Sequence, residues 1–127
     1  MILSEQLKSP DPLTQDCPSR DVLDLIGDRW SLLILLVIGQ GIHRNGELKR
    51  RVGGISQKML TQTLRALEAN GLVERRDFQT VPPHVEYHPT PLGASLGEAL
   101  HPLFGWIERE YGNVLAARAA FVERAAD

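Results

Sequence analysis

Cysteine is almost absent from this chain of 127 residues, since Cys17 is the only one. A single cysteine excludes a disulfide within the chain and any metal site built from several thiolates. Long apolar stretches are also missing. The longest run, residues 32–38, is too short to cross a bilayer, and the first residues lack the basic start and apolar segment of a signal peptide. These absences predict a cytoplasmic protein with no membrane attachment.

Motifs that carry enzyme chemistry are missing as well. The sequence contains no nucleophile–base triad pattern, no phosphate-binding glycine loop and no metal-ligand spacing. The histidines show no partner pattern, and each is interpreted as structural or solvated: His43, His84, His88 and His101. We therefore expect neither an enzyme nor a bound metal or cofactor.

The net charge is only −2, which at first argues against a nucleic-acid partner. Its distribution argues otherwise. Residues 43–88 contain eight lysines and arginines against five acids, so this segment carries +3 and the rest of the chain −5. Local charge, rather than the total, decides whether a surface meets phosphate favourably. The central segment is therefore the candidate DNA-binding region.

A helix between Ser56 and Gly71 is the strongest local prediction. Serine is a favoured N-cap, and glycine adopts the left-handed conformation that follows a helix. At 100° per residue, Leu60, Leu64 and Leu67 share one face. Polar residues on the opposite face are predicted to read bases in DNA: Gln57, Lys58, Thr61, Gln62 and Arg65. The alternative is an ordinary amphipathic surface helix.

The preceding segments complete a helix-turn-helix. Asp28 is predicted to cap an apolar helix that ends near Ile38 and forms the centre of the core. Asn45 is predicted to cap a two-turn helix over residues 46–52, and a short glycine-containing turn leads to Ser56. A helix, a short turn and a second helix with a cationic polar face are typical of DNA-binding proteins.

Cys17 precedes Pro18, and proline is favoured at the first position of a helix, so Cys17 is predicted to be an N-cap. A thiol there feels the positive end of the helix dipole. Arg20 supports the resulting fall in the thiol pKa, whereas Asp16 and Asp21 oppose it. Two interpretations remain: a thiol that senses oxidants or electrophiles, and a small apolar residue packed at an interface.

Two β-type stretches, residues 72–78 and 85–87, flank a turn-rich break and predict a hairpin, the wing. Cationic groups in the wing and in the helix-turn-helix are predicted to contact the DNA backbone: Arg44, Lys49, Arg75, Arg76 and His84. The alternative for the wing arginines is a solvated strand edge, where charge prevents stray pairing.

Thr90 and Pro91 repeat the pattern of a cap followed by proline, and they start a helix predicted to reach about Phe121. Its apolar residues recur at helical spacing and exceed what the rest of the chain can cover. A second copy of the helix is the economical cover, so a two-fold homodimer is predicted. The expected interface residues are Leu96, Leu100, Leu103, Trp106, Ile107 and Tyr111.

In this order the motifs resemble the HxlR family of bacterial winged-helix regulators, relatives of the MarR and PadR groups. Four stretches carry the resemblance: Cys17-Pro18; Gly-Asp-Arg-Trp-Ser-Leu-Leu-Ile-Leu at 27–35; residues 54–60 continuing through 67–75; and Val-Pro-Pro-His-Val-Glu-Tyr at 81–87 with Thr-Pro-Leu-Gly at 90–93. The resemblance implies a homodimeric DNA-binding regulator with its recognition helix in the major groove and its wing at the flank. In some members the Cys-Pro cysteine senses oxidants or electrophiles.

Two positions depart from the family pattern. Asn45 stands where an aromatic residue is usual, so helix packing there must be made differently. Pro89 stands where an apolar residue, often leucine, is usual. Since proline has no amide hydrogen, the second wing strand is expected to be shortened.

The predicted fold class is mainly α with a small β-hairpin wing (α+β). The expected organisation is an arm (1–16), a winged helix-turn-helix (17–90) and a C-terminal dimerisation helix (91–127) within one compact unit. The predicted function is sequence-specific binding of double-stranded DNA by a homodimer. An oxidant acting on Cys17, or a small apolar ligand between the long helix and the core, would regulate it. The alternative is a winged helix that binds a partner protein.

Overall fold

The computed structural model describes residues 10–126, and the first part of the predicted arm, residues 1–9, lies outside them. Within this range the chain forms a helical unit with one two-stranded antiparallel sheet, as predicted. The elements are α1 (Pro18–Gly27), α2 (Arg29–Gly39), α3 (Asn45–Arg51), α4 (Gln57–Ala69), β1 (Val73–Asp77), β2 (Val85–Pro89) and α5 (Pro91–Ala126).

Helix α2 is the centre of the core, as its nearly continuous apolar sequence predicted. Ile34 and Ile38 are fully buried and pack with leucines of α3 and α4. The predicted cap is confirmed: the Asp28 carboxylate accepts hydrogen bonds from the Ser31 amide at 3.0 Å and from its hydroxyl at 3.1 Å. Helix α2 is thus both the central element of the core and fixed at its start by the Asp28 cap.

Helix α3 begins one residue earlier than expected, so the prediction that Asn45 is its N-cap is wrong. Arg44 is the N-cap, and its carbonyl accepts the Leu48 amide at 2.9 Å. The reason lies in the segment before the helix. The His43 carbonyl accepts the Tyr87 amide at 2.8 Å, which ties this segment to β2 and keeps Arg44 extended.

Helix α4 starts and ends where predicted. The Ser56 hydroxyl accepts the Met59 amide at 3.0 Å. At the other end Gly71 has a φ of 72°, a conformation that favours glycine. The Leu72 amide bonds to the Leu67 carbonyl at 2.9 Å, and the Gly71 amide bonds to the Glu68 carbonyl at 3.0 Å. This pair of bonds is a Schellman motif, which turns the chain directly into β1.

The wing hairpin pairs Val73 with Pro89 and Asp77 with Val85. The expected shortening of β2 at Pro89 is wrong, since the strand extends through it. Amides alternate sides along a strand. The nitrogen of Pro89 therefore lies on the same side as the Tyr87 amide, which donates to His43 rather than to β1. The missing amide hydrogen is not one that the ladder uses.

The start of α5 is joined to the end of α4 by Thr90. Its hydroxyl donates to the Gly71 carbonyl at 2.5 Å and accepts the Gly93 amide at 3.0 Å. Its own amide donates to the Leu72 carbonyl at 3.2 Å. Gly93 is buried against Leu72. The predicted cap-then-proline start is confirmed, and it also fixes α5 against the end of α4.

Helix α5 has 36 residues, or about 54 Å at 1.5 Å per residue, and it runs past the predicted end at Phe121. Two of the predicted interface residues face the chain's own core: Leu100 is 8% exposed, and Leu96 packs against the same cluster. Beyond Phe104 no residue of α5 belongs to the core. None of the helices within residues 10–126 is long and apolar enough to span a membrane.

We predict that Gly93→Ala destabilises the protein by at least about 2 kcal/mol, as overpacking of a tight contact does. A methyl group at this position would overlap the carbonyl oxygen of Leu72, which is backbone and cannot rotate away. The measurement is urea unfolding followed by circular dichroism.

Gly97→Ala is the matched control one turn along α5, because an added methyl group meets no atom within 4 Å there. It is expected to stabilise the helix by about 0.5–1 kcal/mol. A Gly93→Ala protein as stable as wild type would contradict this account of the junction.

Candidate nucleic-acid interface

The polar face of α4 is exposed to solvent and does not pack against the rest of the described chain. All five predicted base-reading side chains are exposed: Gln57, Lys58, Thr61, Gln62 and Arg65. The first turn of α4 contains no acid. Among residues 10–126, neither Lys58 nor Arg65 forms an ion pair. The opposite face, with Leu60, Leu64 and Leu67, is fully buried, so the core fixes which side chains point outward.

One local contact orders part of this face. The Gln57 side-chain amide donates to the Thr61 hydroxyl at 3.2 Å, one turn further along the helix. The two groups are therefore presented together, while the polar ends of Lys58, Gln62 and Arg65 have no partner among residues 10–126. Such a row of donors and acceptors on one exposed face of a helix matches the groups that read base edges in the major groove.

The cations predicted for the DNA backbone lie in two different environments. Arg44 and Lys49 are exposed beside α3, whose last turn also carries Arg50 and Arg51 and no acid. The wing arginines are paired with acids of their own strand. Arg76 contacts Glu74 at 3.1 Å, and Arg75 lies 3.9 Å from Asp77.

These wing ion pairs are exposed, with the Arg76 side chain 46% accessible. Exposed pairs of this kind contribute little stability, so either arginine can exchange its acid for a phosphate. The hairpin as a whole nevertheless has two arginines against three carboxylates and carries −1 while its histidines are neutral. The main cationic surface is therefore on α3 and α4 rather than on the wing.

The hairpin also contains a histidine cluster that the sequence pattern did not predict. Nε2 of His84 lies 2.6 Å from one oxygen of Glu86, and Nε2 of His88 lies 2.7 Å from the other. The ring of His43 stacks on His88 with centroids 3.9 Å apart. Three of the four histidines interpreted as structural or solvated thus have partners that were not predicted.

A signal for part of this cluster is present in the sequence. His84, Glu86 and His88 alternate along a predicted strand, and period-two residues share one face. The hydrogen bonds from His88 and then His84 lower the pKa of the Glu86 carboxyl. In the part of the chain that the structure describes, no three such side chains converge as a metal site.

Cys17 is the N-cap of α1 with Pro18 at the first position, as predicted. Its sulfur lies 3.1 Å from the Ser19 hydroxyl and accepts the Asp11 amide at 3.3 Å. The pKa of the thiol is lowered, first by the Ser19 side chain and then by the Asp11 amide. The direction agrees with the prediction, but local hydrogen bonds are the main cause, and Asp11 is the opposing acid.

A cavity of about 630 Å³ opens between the C-terminal end of α2, the end of β2 and the first turns of α5. Leu35, Leu36, Pro89 and Ala94 provide apolar walls. The volume is in the range of sites for small organic molecules. The cavity lies where a ligand between the long helix and the core was expected.

The arrangement defines a class of protein. Helices α3 and α4 form the two-helix unit, α4 presents an acid-free polar face at its start, and a hairpin follows at once. This is a winged helix-turn-helix with a long helix appended.

Comparison with known proteins specifies the class further. The family model described as HxlR-like helix-turn-helix matches residues 25–114. An HTH-type transcriptional regulator of Escherichia coli K12, YtfH, is 47% identical over 116 residues, which are 91% of this chain and 92% of that protein. The chain belongs to the HxlR-like helix-turn-helix family, as its motifs had suggested. It is a helix-turn-helix transcriptional regulator and not an enzyme.

Solved structures agree with this assignment. The transcriptional regulator ytfH from Salmonella typhimurium superposes with a TM-score of 0.81 at 43% identity, covering 87% of this chain and 99% of that one. The redox regulator HypR in its reduced form superposes with a TM-score of 0.71 at 34% identity, covering 78% and 98%. The chain therefore shares its fold with a relative described as a transcriptional regulator and with one described as a redox regulator.

Proposed function

We propose that the protein binds a specific operator as a homodimer and inserts α4 into the major groove. The observation that carries this proposal is the exposed polar face of α4, whose first turn contains no acid and on which Lys58 and Arg65 have no ion-pair partner among residues 10–126. Arginine and lysine pair with guanine, glutamine pairs with adenine, and threonine contacts the thymine methyl group. Gln57, Lys58, Thr61, Gln62 and Arg65 would supply these contacts.

Phosphate contacts would hold α4 in register. Arg44 caps α3, the helix before α4, and Lys49 lies in its last turn; both are exposed without an acid partner in the described part of the chain. Arg75, Arg76 and His84 would contact the backbone from the wing. Contacts of this kind position a protein on DNA and add affinity, but they carry no sequence information.

Dimerisation is supported by the apolar stripe that α5 leaves uncovered. Leu103, Trp106, Ile107 and Tyr111 are each more than 40% exposed and recur at helical spacing. A contiguous stripe of four large, exposed apolar side chains is unusual on a monomer. A small cavity between Trp106, Ile107 and Tyr111 would receive a side chain of the partner. Two recognition helices would then meet half-sites one helical turn apart, about 34–36 Å, or a multiple of it.

Cys17 is proposed as the point where an oxidant acts. The Ser19 and Asp11 hydrogen bonds favour the thiolate, which is the nucleophilic form. The sulfur would attack a peroxide oxygen, so that a sulfur–oxygen bond forms, the peroxide bond breaks and hydroxide leaves. The resemblance to HypR, described as a redox regulator, supports this assignment.

The cavity beside α2 supports a second mode of regulation. A small apolar ligand there would contact α5 and β2 together. Since α5 is also the proposed dimer helix, such a ligand would shift one recognition helix relative to the other. This mode does not require the thiol.

We predict that Arg65→Ala weakens binding to an operator selected in vitro by about 1–3 kcal/mol and leaves binding to a scrambled duplex nearly unchanged. The reason is that an arginine that contacts guanine contributes only where the guanine is present. Fluorescence anisotropy with both duplexes measures the difference.

Arg124→Ala removes the same charge near the exposed end of α5 and is the matched control. Equal weakening of both duplexes by Arg65→Ala would show that Arg65 acts only as a charge. If no sequence is enriched and binding does not weaken with salt, the winged helix binds a partner protein instead.

We predict that Ile107→Glu weakens the dimer at least about a hundredfold, because a carboxylate without a partner would be buried in each half of the interface. Sedimentation equilibrium measures the dissociation constant. Val81→Glu adds the same charge at an exposed apolar residue of the wing, which is 98% accessible, and should stay dimeric. A dimeric Ile107→Glu protein would exclude this face as the interface.

We predict that peroxide raises the Kd of the wild-type protein for its operator about 5- to 150-fold, a usual range for coupling between sites. Cys17→Ser should bind DNA and ignore peroxide. Ser19→Ala should need more peroxide, because losing its hydrogen bond raises the thiol pKa and depletes the thiolate. If peroxide still releases the Cys17→Ser protein from its operator, the thiol is not the site at which the oxidant acts.

A further inference from the structure

One face of the wing hairpin carries an alternating row of titratable groups. In the β1–β2 register Glu74 lies opposite His88 and Arg76 opposite Glu86, so these four side chains share a face. His84 precedes β2 on the same face, and its ring packs against Phe78 at 4.5 Å. The Glu86 carboxylate receives His84 on one oxygen and His88 on the other.

We propose that this face is a proton-gated phosphate contact, in which protonated His84 and His88 bind the DNA backbone and the neutral forms do not. The proposal rests on the proposed function, since it needs the wing to lie along a duplex. It adds a condition to that function: the operator is held more tightly as pH falls through the range in which histidine titrates.

The hydrogen bonds determine which ring nitrogen carries the hydrogen. An ionised carboxylate only accepts hydrogen bonds, so Nε2 of both His84 and His88 must be the donor. In the neutral ring Nδ1 is then a bare acceptor, and it has no partner on either histidine within residues 10–126. An acceptor facing a phosphate is repelled. Protonation turns the same nitrogen into a donor and adds a positive charge.

Glu86 stays ionised throughout this change. The hydrogen bonds from His88 and His84 lower the pKa of its carboxyl, so it loses its negative charge only at a more acidic pH than an ordinary glutamate. Histidine changes charge between about pH 5 and 8. In that interval Glu86 therefore remains an anion that holds both rings through Nε2 and leaves Nδ1 for another partner.

The charge of the hairpin changes sign with the two protons. It carries −1 while the histidines are neutral, because Glu74, Asp77 and Glu86 outnumber its two arginines. With His84 and His88 protonated it carries +1. Phosphate binding depends on local positive charge, so the neutral wing opposes the contact and the protonated wing favours it.

The charged groups around His84, Glu86 and His88 do not supply the positive charge that protonation of the two histidines would add. On β1, Arg76 lies 3.1 Å from Glu74, and the two charges cancel in the net charge of this face. Next to α3, His43 stacks on His88 and uses Nδ1 to donate to the Tyr87 carbonyl at 2.9 Å, while Arg44 is exposed. The other elements packed against β2 send no ion pair to the cluster within the described residues. Their charged or titratable groups are Arg29 on α2, Glu47, Lys49, Arg50 and Arg51 on α3, and, in the first three turns of α5 (residues 91–101), Glu98 and His101.

The experiment is a titration of operator affinity against pH. A labelled duplex selected in vitro by the wild-type protein is titrated at about pH 6, 7 and 8 and at about 50 and 200 mM salt. The Kd should fall at least about tenfold from pH 8 to pH 6, the effect of adding a charge-assisted hydrogen bond. The dependence of log Kd on log salt should steepen by about 0.9 for each additional phosphate that the protonated wing neutralises.

The double variant His84→Gln/His88→Gln cannot take up these protons and should have the same Kd at pH 6 as at pH 8. His101→Gln, which removes the histidine on α5, is the matched control and should keep the wild-type pH dependence. Circular dichroism and sedimentation at each pH establish that every variant is folded and has the same oligomeric state.

A second measurement needs no variant. Calorimetry of operator binding at about pH 7 in two buffers of different ionisation enthalpy should show net proton uptake, up to about two protons per chain. If the wild type and the double variant change with pH by the same factor, or if no protons are taken up, the proposal is overturned. Tight operator binding at pH 8 would still uphold the proposed function, whereas failure to select any duplex would remove both.

Discussion

The contact between Thr90 and the end of α4 is the constraint on which the DNA-binding geometry depends. Its hydroxyl joins the Gly71 carbonyl to the Gly93 amide, and Gly93 is buried against Leu72 because it has no side chain. The C-terminal end of α4, the base of the wing and the start of α5 therefore meet at one point. Any movement of α5, whether by a partner or by a bound molecule, must move this end of α4.

The faces of α4 could be predicted from its sequence because burial alone determines them. Leucines at 60, 64 and 67 pack into the core, and the polar side chains have no other direction to take. The wing was harder to predict. Its strands were recognisable, but the ion pairs of Arg75 and Arg76 depend on side-chain conformations. The stacking of His43 on His88 joins residues 45 positions apart, which local patterns do not reveal.

Two errors in the sequence-based prediction have one physical cause. The Tyr87 amide donates to the His43 carbonyl, so the outer edge of β2 is paired with the segment before α3. That pairing keeps Arg44 extended and makes it, rather than Asn45, the residue before the helix. It also explains why Pro89 is tolerated, since its nitrogen lies on this outer side of β2. An uncommon residue at each of these two positions is thus compatible with the family fold.

Each wing arginine has an acid of its own strand beside it, and this arrangement affects how the protein searches a genome. Attachment to arbitrary duplex depends on permanently available cations, which release counterions wherever they touch phosphate. A hairpin whose arginines must first leave their acids, and whose net charge is −1 while its histidines are neutral, contributes less to such attachment than α3 and α4 do. If α4 reads bases as proposed, residence on irrelevant sequence would be short, and discrimination would rest on side chains such as Lys58 and Arg65, which have no ion pair among residues 10–126. Low nonspecific affinity of the wing for DNA would thereby favour rapid scanning over tight binding to arbitrary sequence.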